Sequence, residues 1–284
     1  MRLFSATAIS VSLVLSLSAC EKLANPSVDK AIEGVNVIDA TNLNDIMLTV
    51  ADPNEAVDYF QRALSQDPDR VDFKRGLAKS LVRAKRSSEA TVVFAGFVND
   101  RDATDDDRID FADALIRTND WEKAEAQLNK VPPTIETYKR YRLEAMIADS
   151  NQEWAKADSF YETAAGLTTK PAGVYNNWGY SKLTRGEYAP AEQLFLQAIT
   201  YDKDMFTAKN NLVLARAGQR KYTLPIIRMT QIEKAELLHT IAISAIKQGD
   251  VDVGRGLLED AIDTHPQHFD IAVRTLAALD TKIP

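Results

Sequence analysis

An alanine recurs through this chain at almost constant intervals. Ala56, Ala90, Ala124, Ala157 and Ala191 are separated by 34, 34, 33 and 34 residues. Each lies on an apolar stripe with spacings of three and four residues, which is the spacing of one face of an α-helix. A period of this length predicts a chain of helix–turn–helix units, which bury their apolar faces only by stacking on one another.

One unit is most complete between Tyr175 and Asp204, in "YNNWGYSKLTRGEYAPAEQLFLQAITYDKD". Gly186 separates two amphipathic stretches. The small residues Gly179 and Ala191 would let two helices approach, and Phe195 would fill the space between units. This pattern resembles the tetratricopeptide repeat (TPR). The resemblance implies an all-α fold, a right-handed TPR superhelix of about six repeats, one of them broken, with a C-terminal capping helix.

The broken repeat begins normally with "FTAKNNLVLARAG", but "QRKYTLPIIRMTQ" replaces its second helix. Pro225 lacks a backbone N–H and disfavours helix in the residue before it. Thr230 and Glu233 have the spacing of a capping box, which predicts that a new helix starts near Gln231. We therefore expect an extended excursion over residues 219–230.

The first nineteen residues have the composition of a secretory signal peptide, with Arg2 as the only charge before Glu21. The ending "LSAC" resembles the lipobox of bacterial lipoproteins. That resemblance implies cleavage before Cys20, a diacylglycerol on its thiol and an acyl chain on the new N-terminus, which together would hold the protein on a membrane. The alternatives are a plain secretory signal or a chance cysteine. No other cofactor is expected.

These features divide the chain into five predicted segments. The N-terminal repeat needs a leading helix from about Thr41 to Val50, with Leu43, Ile46, Met47 and Val50 facing inward. The segments are a cleaved signal peptide (1–19), a lipidated tether (20–36), a TPR array of five repeats plus a solitary helix (37–218), the excursion (219–230), and a final TPR with a capping helix (231–284).

Two Asn-Asn pairs, 34 residues apart, are the candidate binding site. They fall on adjacent first helices, the elements that line the concave face of a TPR array. An asparagine side chain offers donors and an acceptor, so it can hold the backbone of an extended peptide. The alternative is that these amides bond to neighbouring helices or to water. The candidate groove residues are Tyr175, Asn176, Asn177, Tyr180, Asn210, Asn211 and Leu214.

Motifs for catalysis and metal binding are weak. A single cysteine excludes an intramolecular disulfide and a cysteine-based zinc site. His265 and His268 lack a third ligand at motif spacing, so we interpret them as part of a turn. The run "RDATDDDR" lacks the Gly and terminal Glu of an EF-hand loop, and we expect Asp105 or a neighbour to cap a helix.

No nucleotide-binding or hydrolase motif is present in the sequence, so no enzyme, metal site or small-molecule substrate is predicted. The net charge of −7 argues against a nucleic-acid partner. We assign the recurring aromatic residues Trp121, Trp154 and Tyr188 to core packing.

The C-terminal third, beginning "AGQRKYTLPIIRMTQIEKAELL", resembles the TadD family of TPR lipoproteins of the Tad (tight adherence, Flp pilus) secretion system. The resemblance implies a non-catalytic scaffold at the periplasmic face of the outer membrane of a Gram-negative bacterium, with a secretin or another pilus component as partner. Two alternatives stay open: an adaptor that recruits peptidoglycan enzymes, and another envelope-assembly pilotin. A hidden lytic transglycosylase would need a catalytic segment, for which the repeats leave no room.

Overall fold

The computed structural model describes residues 43–281, which form α-helices joined by short connections and contain no strand. The predicted all-α, TPR-type repeat fold is confirmed. The predicted signal peptide, Cys20 and the tether lie outside the described residues. The helices are α1 (43–49), α2 (Pro53–Gln66), α3 (Val71–Arg83), α4 (Ser87–Phe97), α5 (Asp105–Arg117), α6 (Trp121–Leu128), α7 (Tyr138–Ser150), α8 (Trp154–Gly166), α9 (Ala172–Thr184), α10 (Tyr188–Tyr201), α11 (Phe206–Gly218), α12 (Gln231–Lys247), α13 (Val251–Thr264) and α14 (Asp270–Asp280).

The first compact unit ends at Phe97. Within it α3 packs against both α2 and α4. Phe60 of α2 is fully buried, and a Cβ on Gly76 of α3 would lie 2.3 Å from its ring. Only a glycine therefore allows this approach of the two helices.

The leading helix α1 differs from its prediction. Leu43, Ile46 and Val50 are exposed instead of facing inward. Arg83 fixes the C-terminal end of α1 by donating to the backbone carbonyls of Met47 and Ala51, at 2.8 and 2.7 Å.

The second compact unit begins at Val98. It contains the antiparallel hairpins α5–α6, α7–α8, α9–α10 and α12–α13, and α14 packs on α13. The first helices of successive hairpins, α5, α7 and α9, lie side by side, and α11 continues this layer next to α9. Phe195 is fully buried, and a Cβ on Gly179 would lie 2.7 Å from its ring. Thr104, the neighbour of Asp105, is the N-cap of α5 and forms a capping box with Asp107.

The turn after each first helix recurs along the chain, at intervals of 33 or 34 residues up to the turn after α11. Each turn contains one residue in the left-handed conformation, which ends the helix and reverses the chain. The broken repeat keeps this residue although no second helix follows it. The left-handed residues are Lys85, Asn119, Gln152, Gly186, Arg220 and Gly249.

Residues 219–230 form neither helix nor strand. The buried carboxylate of Glu192 on α10 holds their start, because it accepts hydrogen bonds from Arg216, Gln219 and Lys221 at 2.7, 2.8 and 3.3 Å. The helix predicted to be solitary, α11, packs between α10 and α12. A further ion pair joins it to α12, since the buried Lys209 lies 2.8 Å from Glu233.

Candidate binding groove on the first helices

A cavity of about 470 Å³ lies across α7, α9 and α11 and reaches the N-terminal ends of α6 and α8. This volume falls within the range of roughly 300–1,000 Å³ that ligand pockets occupy. We call this cavity the groove. Its apolar and aromatic lining consists of Trp121, Met146, Trp154, Tyr161 and Tyr180, and its polar lining of Asp149, Ser150, Asn176, Asn177, Ser181, Thr184, Thr207 and Asn211.

Trp121 and Trp154 form an aromatic wall along the groove, although the sequence predicted core packing for both. Trp121 and Trp154 are the first residues of α6 and α8, and both line the groove. Trp154 is 37% exposed, and the Arg185 guanidinium carbon lies 5.2 Å from the centre of its ring. Tyr188 is equally exposed and packs against Gly218 instead. The core assignment is therefore wrong for Trp154 and Tyr188, because the start of a second helix lies at the edge of the layer.

The asparagines link neighbouring helices, and three of the four also line the groove. Asn211 of α11 donates to the side-chain oxygen of Asn176 on α9 at 3.1 Å. The amide of Asn177 lies 3.6 Å from the sulfur of Met146 on α7. Asn210 points elsewhere and accepts a hydrogen bond from Thr240 on α12 at 2.8 Å. Each amide has two donors and an acceptor with two lone pairs, so the Asn176–Asn211 pair keeps further hydrogen-bonding capacity.

Of the remaining predicted groove residues, one lines the groove and two do not. Tyr180 lines the groove and is 54% exposed. Tyr175 stacks on Tyr201, with ring centres 5.8 Å apart, and packs against the core around Phe195. Leu214 is half-buried. Tyr175, Asn210 and Leu214 are thus absent from the groove lining.

Asp149, which sequence reasoning missed, is the one charged residue among the described residues that line the groove. Its two carboxylate oxygens accept hydrogen bonds from Ser181 at 2.6 Å and Tyr161 at 2.9 Å. Burial raises the pKa of the Asp149 carboxyl, and the two hydrogen bonds oppose that rise. Burial also raises the pKa of Tyr161, so its hydroxyl remains a donor.

A sequence signal for Asp149 exists in the repeat register. The equivalent positions of the other first helices in this layer are Ile116, Leu183 and Ala217, at intervals of 33, 34 and 34 residues. A carboxylate therefore replaces an apolar residue at one repeat only. Such a departure from the repeat pattern indicates a local function rather than the common packing scheme.

No helix among residues 43–281 is long and apolar enough to cross a membrane. Within the same residues, no group of three or more His, Cys, Asp or Glu side chains is placed to hold a metal ion. His265 stacks on Phe269, with ring centres 4.7 Å apart.

The fold and the groove define the class of this molecule, a helical repeat protein of the TPR type. Residues 48–102 match the family model described as tetratricopeptide repeat. The tetratricopeptide repeat protein 21 homolog of Caenorhabditis briggsae is 25% identical over 211 residues, which are 64% of this chain and 15% of that protein. The chain therefore spans a small part of the length of this curated relative.

Solved structures show the same fold at low sequence identity. A tetratricopeptide repeat protein from Parabacteroides merdae superposes with a TM-score of 0.53 at 13% identity, covering 90% of this chain and 99% of that one. A chain of the APC/C hetero-tetramer Cut9–Hcn1 gives 0.59 at 13% identity, over 80% and 46% of the two chains. The human IFIT1 dimer with PPP-AAAA gives 0.56 at 13% identity, over 81% and 59%. Proteins with this fold generally act as scaffolds for protein–protein interaction.

Proposed function

We propose that this protein is a lipid-anchored scaffold that captures an extended segment of another protein in the groove. The groove is the observation that carries this proposal, because it combines an aromatic wall with amides and hydroxyls from three parallel first helices. An extended peptide exposes backbone donors and acceptors, which asparagine side chains can satisfy from either side. The exposed Tyr180 supplies apolar contact area at a low cost in side-chain entropy.

The pathway we propose is the assembly of Tad/Flp pili, with a secretin or another pilus-machinery component as the partner. The "LPIIRMTQ" stretch of the excursion supports this proposal through its resemblance to the TadD family. Lipidation of Cys20 would hold the scaffold at the periplasmic face of the outer membrane. Confinement to this layer raises the effective concentration of the scaffold near a membrane-embedded partner.

The test uses the full chain in a strain that assembles these pili. We expect the double variant Asn177→Ala, Tyr180→Ala to reduce recovery of the secretin with the affinity-purified protein by about tenfold, because it removes an amide and an aromatic surface from the groove. Tyr138→Ala is the matched control, since Tyr138 is an exposed tyrosine of α7 that is absent from the groove lining. Unchanged recovery with a normally folded double variant would contradict capture in the groove.

Two further readouts separate the other parts of the proposal. A Cys20→Ala variant should lose membrane fractionation and pilus assembly, and full retention of both would refute the anchor. Co-purification of peptidoglycan hydrolases in place of the secretin would favour the adaptor alternative over a role in pilus assembly.

A further inference from the structure

The charge of the groove is concentrated at one point. Among the described residues that line it, Asp149 is the single charged side chain, and the other polar residues carry neutral amides and hydroxyls. The carboxylate is half-buried near the C-terminal end of α7. It has roughly four acceptor positions, of which Ser181 and Tyr161 use two. It can therefore accept further hydrogen bonds from a ligand.

The cations behind the groove are already balanced by other carboxylates. Arg185 lies 2.7 Å from Asp158 and 3.6 Å from Glu187. Lys182 lies 2.8 Å from Asp158 and 2.9 Å from Glu187. Two cations thus face two carboxylates in this cluster. Burial raises the pKa of Asp149 and the charge of Arg185 opposes that rise, but the hydrogen bonds that the Asp149 carboxylate accepts come from neutral hydroxyls, so it can still bind a ligand cation.

The other end of α7 contributes no free cation to the groove. Lys139 pairs with Asp110, and Arg142 lies 3.5 Å from Asp113 on α5. Both basic residues are absent from the groove lining. An acidic ligand would meet Asp149 without a cation of the lining to pair with, and repulsion between like charges would oppose its binding.

The aromatic wall, like the carboxylate, suits a ligand side chain with a cationic end. Trp121 and Trp154 line the cavity that contains Asp149. A lysine or arginine side chain carries a long aliphatic stem beneath its charged end, and the stem can lie along apolar surface. Tryptophan faces also attract cations, and Trp154 already has the Arg185 guanidinium carbon 5.2 Å from its ring centre.

We propose that the groove selects an extended protein segment that contains a lysine or arginine, whose cationic group binds the Asp149 carboxylate while its stem packs against Trp121 and Trp154. This inference rests on the proposed function of the groove and names the chemistry of its partner. The selected segment is basic at one position, matching a chain that carries a net charge of −7.

The experiment measures binding of peptide pools to the purified full chain. Each pool contains acetylated and amidated hexapeptides with one central residue fixed as Lys, Arg, Gln or Glu, and neutral residues elsewhere. Fluorescence anisotropy gives the affinity of each pool. We expect the Lys and Arg pools to bind about tenfold more tightly than the Gln pool, as a charge-assisted hydrogen bond implies, and the Glu pool to bind most weakly.

Two variants test the assignment to Asp149. Asp149→Asn is isosteric and retains an acceptor for Ser181, and it should abolish the preference for Lys and Arg over Gln. Asp252→Asn is the matched control, because it changes the net charge equally at an exposed position of α13 outside the groove lining. It should retain the full preference.

Fluorine NMR of the chain labelled with 5-fluorotryptophan locates the binding. The chain has three tryptophans, and Trp178 donates to Asp158 outside the groove lining. The signals of Trp121 and Trp154 should shift on addition of the Lys pool by more than the signal of Trp178, which stacks on Tyr161.

The outcomes separate the two proposals. Equal binding of the Lys and Gln pools, tighter binding of the Glu pool, or a preference that survives Asp149→Asn would overturn the selection of a cation and leave capture of a peptide standing. Absence of binding by every pool, or binding that leaves Trp121 and Trp154 unshifted, would overturn both.

Discussion

Two regions of the layer of first helices differ in how their carboxylates are neutralised. Between α5 and α7, Asp113 lies 3.3 Å from Arg117, 3.5 Å from Arg142 and 4.0 Å from Lys139. Three cations of the same chain therefore surround this carboxylate. The positions of α7, α9 and α11 equivalent to Asp113 are Met146, Tyr180 and Leu214, which carry no charge.

The difference separates a carboxylate that supports the fold from one that is available to a ligand. Asp113 is enclosed by three cations of its own chain. Asp149 is held by two neutral hydroxyls, and burial outweighs their effect on its pKa. Removal of the two carboxylates should therefore have different consequences for stability.

The largest expected effect follows from removal of Asp113. We expect Asp113→Ala to lower the free energy of unfolding by about 2 kcal/mol, because it leaves the partly buried Arg142 without its counter-charge. The Asp113 side chain is 10% exposed, and that of Arg142 is 22% exposed. Urea denaturation measures the change.

Asp106→Ala is the control for that substitution, since Asp106 is an exposed residue of the same helix. It should cost well under 1 kcal/mol, the amount that a charge near a helix N-terminus contributes. An equal loss for both variants would mean that the charge of α5, and not its enclosure between the helices, determines stability.

The stacked helical repeats could be predicted from the sequence, because their packing depends on residue size at fixed intervals. The close approach of Gly179 and Phe195 follows from one such pair of positions. The chemistry of the groove depends on contacts between distant residues, which the period does not encode. Asp149 meets Ser181 across 32 residues, and Trp154 lies at an edge that its apolar character alone does not reveal.

A smaller effect is expected in the pH dependence of the contribution of Asp149 to stability. Because burial raises the folded-state pKa of Asp149, the folded chain retains this proton at pH values where the unfolded chain has released it. The contribution of Asp149 to stability should therefore be most favourable below the unfolded-state pKa of about 3.9 and decline as pH rises through the folded-state value.

Denaturation of the original chain and of Asp149→Asn between pH 3.5 and pH 7 measures this contribution. The free energy of unfolding of the original chain should fall relative to the variant as pH rises through the folded-state pKa of Asp149. A rise over the same interval would show that the hydrogen bonds from Ser181 and Tyr161 outweigh burial.

The smallest expected effect tests whether enclosure, rather than distance, determines the contribution of an ion pair. Lys156 and Glu153 lie 2.8 Å apart, closer than Asp113 and Arg142, but their side chains are 52% and 46% exposed. Solvent and salt screen such a pair, so Lys156→Gln should change the free energy of unfolding by no more than about 0.5 kcal/mol. Urea denaturation at low salt and in 1 M NaCl measures this change. A loss equal to that of Asp113→Ala would mean that short distance suffices, and the distinction between the enclosed charges of α5 and α7 and the available charge of Asp149 would then lose its physical basis.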